Sequence, residues 1–148
     1  MVLTDLPSIA NRELSALAFD FGLRRIGVAH GQTVSGTAQA LPLLKARDGI
    51  PRWEEIAGLI ETWKPDVLVV GLPFNIDGSE SELMLLAKKF GNRLEGRFGL
   101  PCYGMDERLS SHAAAELQED SPRDSLDSLA ARLILESWFA ELNRTSDL

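Results

Sequence analysis

Three carboxylates stand where acids carry chemistry. Asp20 comes near the end of an apolar run, residues 14–21. At strand spacing its side chain shares a face with Ala16 and Ala18, while Leu17, Phe19 and Phe21 point the other way. An acid in such a run is costly to bury unless it is paired or bound to a metal. Glu107 follows a second short segment, residues 101–105, with Asp106 between, and Asp127 falls in the first turn of a helical pattern over 124–142. Clustered carboxylates with no Lys or His among them form a hard oxygen site suited to Mg²⁺ or Mn²⁺. Two such ions about 3.5–4 Å apart activate a water and stabilise the leaving oxygen of a phosphodiester. Each acid also has a plainer reading. Asp127 with Asp124 resembles a helix cap favoured by the helix dipole. Glu107 suits a surface pair with Arg108 or Arg24, and Asp20 ahead of Gly22 suits a turn.

The elements that must position these residues follow a legible order. Residues 1–13 read as a loose leader. Strands are expected over 14–21, 25–30 and 36–44, with Gly31 and Thr33 marking the turn between the second and third. Asp48-Gly49-Ile50-Pro51 reads as a break and helix start, with Pro51 near the first helical position. Trp53, Ile56, Ala57, Ile60 and Trp63 follow at helical spacing until Lys64-Pro65 ends the helix. Residues 67–72 are continuously apolar and β-branched, as in a strand covered on both faces. After a loop over 73–78, Ser79 and Glu82 fit a capping box opening a helix to about residue 98, with Leu83, Leu86, Ala87, Phe90 and Leu94 as its apolar stripe. A short strand over 101–105 comes next. Ser110 or Ser111 is expected to cap a helix to about residue 118, and 119–123 is a polar break. The last helix, over 124–142, would bury Leu126, Leu129, Ala130, Leu133, Ile134 and Trp138. Three strands followed by strands alternating with helices imply a single α/β domain over 1–148. Its mixed five-stranded sheet is flanked by helices. Should the first strand and the 101–105 strand be neighbours, their ends bring Asp20 and Glu107 together, and the last helix places Asp127 above them.

Composition sets the outer bounds. The chain has 148 residues, 45% hydrophobic and 25% charged, which excludes a disordered, fibrous or disulfide-framed protein. Its one cysteine, Cys102, forms no internal disulfide and fits a reducing compartment. No signal peptide is recognisable, and no apolar run approaches the ~18 residues of a membrane span, so the expected address is the cytoplasm with no membrane partner. The net charge of −7 argues against a general nucleic-acid coat. It is unevenly placed: residues 106–148 carry −6 and the first 105 only −1. A metal-dependent nuclease remains compatible with this balance, because its site is itself built from carboxylates.

Several further groups are candidates for substrate contact. Gly22 and Gly27 permit close approach by a phosphate, and Arg24 and Arg25 supply charge; a tight hairpin with solvated arginines is the plainer alternative. Gly71 and Asn75 lie where the 67–72 strand gives way to a loop, positions suited to a substrate backbone or to simple punctuation. Lys89, Arg93 and Arg97 recur every four residues on one helix face, as a phosphate-tracking stripe or a solvated surface. His30 and His112 lack local partners and read as structural or surface residues. Cys102 and the tryptophans read as packing residues.

Taken in order, several strings resemble the YqgF/RuvX family of bacterial proteins. They are Phe19-Asp20-Phe21-Gly22 with Arg25-Ile26-Gly27-Val28-Ala29, Val70-Gly71-Leu72-Pro73, Asp106-Glu107-Arg108-Leu109-Ser110, and Asp127-Ser128-Leu129-Ala130-Ala131 with Ile134-Leu135-Glu136-Ser137. Asn75-Ile76-Asp77-Gly78-Ser79-Glu80 and Lys89-Phe90-Gly91-Asn92-Arg93 also look like the family. The family is described as pre-16S rRNA nucleases and as Holliday-junction-resolvase-like. The resemblance runs from about residue 14 to residue 142. It implies an RNase H-like fold and matches Asp20, Glu107 and Asp127 to the family's metal-binding carboxylates. It puts Arg24 in the loop after the first strand and Arg108 beside Glu107 as substrate contacts. One segment departs from the pattern. Residues 118–126 are short and acidic where many members carry a longer, basic, glycine-containing loop, and Arg123 is the nearest substitute for that loop's lysine.

The leading expectation is a Mg²⁺- or Mn²⁺-dependent nuclease processing the 5′ end of precursor 16S rRNA in ribosome biogenesis, alongside ribosomal particles, as a monomer or weak dimer. The alternatives are a resolvase acting on branched DNA with the same site, and a non-catalytic ribosome- or nucleic-acid-binding factor. A sugar-kinase or actin-like reading fails on length, since that architecture needs two such domains.

Overall fold

The computed structural model describes residues 2–3, 13–107 and 128–146. Its centre is a sheet of strands β1 (Val2–Leu3), β2 (Ser15–Asp20), β3 (Arg25–Gln32), β4 (Thr37–Arg47), β5 (Ile50–Pro51), β6 (Val67–Leu72) and β7 (Cys102–Asp106). The spatial order is β1-β7-β6-β2-β3-β4-β5. The five expected strands are all present, and the two-residue strands β1 and β5 extend the sheet at its edges. β2, β3, β4 and β5 run as successive antiparallel neighbours, whereas β2–β6, β6–β7 and β1–β7 are parallel. The sheet is thus mixed, and β6 is buried along its whole length, as its apolar run requires.

Helices α1 (Trp53–Trp63) and α2 (Glu82–Phe98) cover one face, over a core that includes Leu17, Phe19, Leu68, Val70 and Phe90. The last helix, Leu129–Ser146, covers the other face, over Ala16, Ala18, Val69 and Met105. Each large apolar side chain sealed in these cores contributes about 1.5–3 kcal/mol. The alternation along β2 therefore sends Phe19 and Phe21 toward α2, and Asp20 toward the last helix.

Local detail departs from expectation at several points. Val2 and Leu3 are not part of a loose leader: they pair in parallel with Tyr103 and Gly104, covering the backbone edge of β7. Gly31 lies inside β3 rather than in a turn. A Cβ there would meet Phe139 of the last helix at 2.8 Å, so the glycine marks close packing. Asp48 and Gly49 both have positive φ, the pattern of a two-residue hairpin turn, so Pro51 pairs with Ala46 in a strand and α1 starts at Trp53. α1 ends as expected, with Lys64 in the left-handed region donating to the Ile60 carbonyl.

The cap of α2 is Ser81, whose Oγ accepts from Met84 N at 3.1 Å. Ser79 is instead engaged in its loop, where its N–H and hydroxyl donate to Asp77 and its Oγ accepts from Asn75. With the helix starting later, its inward stripe is Met84, Ala87, Phe90, Gly91 and Leu94, and Leu83 and Leu86 turn outward. The last helix buries Ala131, Ile134, Leu135, Trp138 and Phe139, leaving Leu129, Ala130 and Leu133 half-buried. Both its flanks are apolar, so the sheet decides which one goes in. The expected helix at 110–118 and the break at 119–123 lie outside the described residues.

Candidate active site

Asp20, the last residue of β2, pairs with Gly27 of β3. Continuing the β2–β6 register one step beyond Phe19 and Val70 sets Asp20 beside Gly71. Gly71 in turn pairs with Met105 of β7, two residues before Glu107. The Cβ that Gly71 lacks would lie 2.6 Å from Ile134 Cδ1 and 3.0 Å from Glu107 Oε1. The Glu107 carboxyl group therefore lies over the end of β6, in space that a side chain at 71 would fill. Its Oε1 is sealed from solvent there.

The first strand and the 101–105 strand are not neighbours: β6 stands between β2 and β7. Asp20 and Glu107 stand on either side of the end of β6, where Gly71 leaves the intervening position bare. The two carboxylates share the sheet face covered by the last helix, on strands two spacings, about 9.6 Å, apart. Both are half-buried.

The last helix is anchored at this same spot. β3 and β4 slip register between Ile26 and Val28, which leaves Pro42 in a bulge where its missing N–H costs nothing. At the bulge the Leu41 carbonyl accepts a 2.6 Å hydrogen bond from Ser128 Oγ, a buried contact. The notch at Gly27 is bounded by Asp20 Cβ at 3.4 Å, Ser128 Cβ at 3.5 Å and Ala131 Cβ at 3.6 Å. It is thus filled by the protein's own side chains rather than held open for a phosphate. A Cβ at Gly22 would lie 2.4 Å from the Arg25 carbonyl, so that glycine closes the turn. Ser128 is a buried anchor at the start of the last helix, marked in the sequence only by its place directly after Asp127. Asp127 and Arg108 lie outside the described residues, as does His112. Among the described residues, no group of three His, Cys, Asp or Glu is arranged to hold a metal.

The other expected contacts are placed as follows. Arg24 and Arg25 are exposed at the turn into β3. Asn75 is exposed and organises its loop, accepting from Gly78 N at 2.8 Å and donating through Nδ2 to Ser79 Oγ at 3.0 Å. Of the basic stripe on α2, Arg97 stacks over the Trp53 ring at 4.3 Å, while Lys89 and Arg93 project outward. His30 is structural: its Nε2 shares a 2.8 Å hydrogen bond with Ser15 Oγ, its ring stacks on Trp63, and burial lowers its pKa. Cys102 is buried in β7, and burial pushes its thiol up to about 12. Among the described residues no helix is long and apolar enough to cross a membrane.

The chain is similar to known proteins over most of its length. Residues 14–141 match the family model described as "RuvX: Holliday junction resolvase". A Chromohalobacter salexigens protein called "Putative pre-16S rRNA nuclease" is 56% identical over 131 residues, covering 84% of this chain and 88% of that one. Proteins of the same description from Haemophilus influenzae and Coxiella burnetii are 53% and 52% identical. They cover 85% and 88% of this chain, and 95% and 96% of their own. Among solved structures, Thermus thermophilus RuvC in complex with a Holliday junction substrate superposes with a TM-score of 0.55 at 17% identity, over 89% of this chain and 96% of that one. A second structure of the same RuvC gives a TM-score of 0.51 at 15% identity, over 88% of this chain and 96% of that one. These likenesses establish the fold as RNase H-like.

Proposed function

Because this chain belongs to the RuvX family, we propose that it is a divalent-metal-dependent nuclease that hydrolyses phosphodiester bonds of precursor 16S rRNA during ribosome maturation. The observation that carries the reading is the placement of the Glu107 carboxyl over Gly71, beside Asp20, on the face where the last helix is pinned. Two acids directed to one face at the same end of the sheet repel one another, an arrangement worth its cost where a cation is held between them.

Asp20 and Glu107, with Asp127 immediately before the pinned Ser128, are the residues that would hold Mg²⁺ or Mn²⁺. Their all-oxygen donor set fits such ions, and the bare backbone at Gly71 fits their convergence. The metal, when bound, lowers the pKa of a water and offsets charge on the leaving oxygen. The chain's own work is to fix the carboxylates by strand register, and to set Arg24, Arg25, Arg108 and Asn75 around them for the phosphate backbone. No protein nucleophile is needed, and the products carry a 5′-phosphate and a 3′-hydroxyl. Relatives sharing more than half their residues with this chain carry the rRNA description, whereas RuvC shares only the fold, so RNA ranks above branched DNA. The reading makes the cytoplasm its compartment and pre-ribosomal particles its partners.

The test incubates wild type and Asp20→Asn with labelled precursor 16S rRNA and with a four-way DNA junction, with and without Mg²⁺ or Mn²⁺. Metal-dependent cleavage of the RNA by wild type alone is expected. Full activity in Asp20→Asn overturns the site, and cleavage of the junction alone overturns the substrate. Binding without cleavage by either protein leaves a ribosome-associated binding factor instead.

A further inference from the structure

β2 turns Asp20 toward one face of the sheet and the next residue, Phe21, toward the other. Phe21 forms the floor of an open groove between the β4–β5 turn and α2. Its ring packs on Phe90 at 5.4 Å between centroids. Gly49 lies directly on it, since a Cβ at 49 would meet Phe21 Cζ at 2.6 Å. Gly49 N donates to the Leu23 carbonyl at 2.9 Å, which fixes the turn to the backbone following Asp20. The groove is therefore preformed.

Its walls combine two chemistries. Ile50 and Leu86 both line it, 49% and 38% exposed, far more than large aliphatic side chains usually are. Lys89 and Arg93, one helical turn apart on α2, supply two positive charges. Neither makes an ion pair among the described residues, although Lys88 beside them pairs with Glu80. Asp48 is the single acid in the lining among the described residues.

We propose that this groove seats a single-stranded nucleic-acid segment adjoining the scissile phosphate, with an unpaired base between Ile50 and Leu86 and the flanking phosphates on Lys89 and Arg93. The inference rests on the nuclease reading above and assigns that site its single-strand preference. An unpaired nucleotide offers an apolar base face and an anionic phosphate together, which is what the walls present. A duplex keeps its base faces stacked and leaves Ile50 and Leu86 in water. An acidic peptide satisfies the cations but offers no flat apolar face. The groove's lining residue Phe21 directly follows Asp20, across the same end of β2.

The experiment measures binding, with Ca²⁺ in place of the activating metal, of a fluorescent RNA hairpin with a single-stranded overhang and of the same hairpin blunt-ended. Proteins compared are wild type, Lys89→Glu/Arg93→Glu and Leu86→Ala, each checked for native melting. The double reversal is expected to weaken overhang binding about tenfold. It should lower the salt slope of log affinity by about 1.4, the release expected from two single-strand phosphate contacts. Leu86→Ala should weaken overhang binding severalfold without changing the slope, and neither variant should change blunt-hairpin binding. Equal losses on both RNAs, or no loss, overturn the groove. So does loss of polyglutamate binding with overhang binding intact, which would make it a protein-docking site. Cleavage by wild type is scored separately. Intact cleavage with unchanged overhang binding in both variants sinks the groove alone. Groove-dependent binding by a wild type that never cleaves sinks the nuclease reading alone.

Discussion

The hydroxyl of Ser128 donates to the carbonyl of Leu41, 87 residues away in sequence, at 2.6 Å and out of contact with solvent. This bond ties the start of the last helix to the bulge of β4, beside Gly27 and Asp20. Leaving the Leu41 carbonyl without its buried donor costs about 1–3 kcal/mol. Ser128→Ala is therefore expected to lower the melting temperature by about 2–4 °C for each kcal/mol lost. Because Asp127 is the preceding residue, cleavage of precursor rRNA by Ser128→Ala should also fall at temperatures where the protein stays folded. Melting curves beside initial rates check both, and a wild-type melting temperature would refute the anchoring role.

Gly71 separates stability from site geometry. A Cβ at 71 strikes Ile134 Cδ1 at 2.6 Å and Glu107 Oε1 at 3.0 Å. Gly71→Ala should destabilise by about 1–3 kcal/mol, the usual cost of overpacking. Ile134→Val removes the Cδ1 atom and should restore part of that stability in the double variant. Cleavage should stay low in both, because Glu107 remains displaced. Denaturant titrations and single-turnover rates on the two variants make the comparison.

Removing metal should act like removing a carboxylate. With EDTA, or with Asp20→Asn, cleavage is expected to fall at least about 10²-fold, the scale on which one preorganised charge-stabilising group contributes. Added Mn²⁺ or Mg²⁺ should restore the EDTA-treated wild type and not the variant. Rescue of Asp20→Asn by excess metal alone would reduce Asp20 to an affinity role.

His30 predicts the sign of one pH dependence. Burial holds its folded pKa below 6.5, so the folded protein resists protonation that the unfolded chain accepts. Its contribution is fully present above pH 6.5 and is lost as pH falls from there through the folded pKa. Replacing it with Gln, which keeps a polar contact for Ser15, should flatten the fall in melting temperature on acidification below pH 6.5. Parallel slopes for wild type and His30→Gln would refute the assignment.

Cys102 is buried in β7 with its thiol pushed up to about 12, so it stays protonated and shielded. The folded protein should be inert to a thiol-selective reagent at neutral pH and become reactive on unfolding. Rapid labelling of the native protein would contradict the packing around β7.

Much of this protein can be read from local patterns. The apolar run of β6, the alternation that sends Asp20 away from Phe19 and Phe21, and the Lys64-Pro65 end of α1 are all decided within a few residues. Backbone periodicity and φ restriction act at that range. The candidate carboxylates Asp20 and Glu107 were legible for the same reason, as acids closing apolar strands. What local pattern leaves open is competition between near-equal choices. Ser79 and Ser81 are both good caps, and the choice falls to Ser81 because Ser79 is already bonded within the Asn75–Asp77 loop. Both flanks of the last helix are apolar, and contact with Ala16, Ala18 and Val69 selects which one is buried. Strand order lies further out of reach: a strand apolar on both faces fits several central positions equally well. Only the folded sheet places β6 between β2 and β7, and only there does Gly71 acquire its role. Sequence by itself determined which residues carry side chains of the right chemistry for a metal or a phosphate. Tertiary structure decided which of them meet, because convergence depends on register between strands more than fifty residues apart, and no local spacing encodes that.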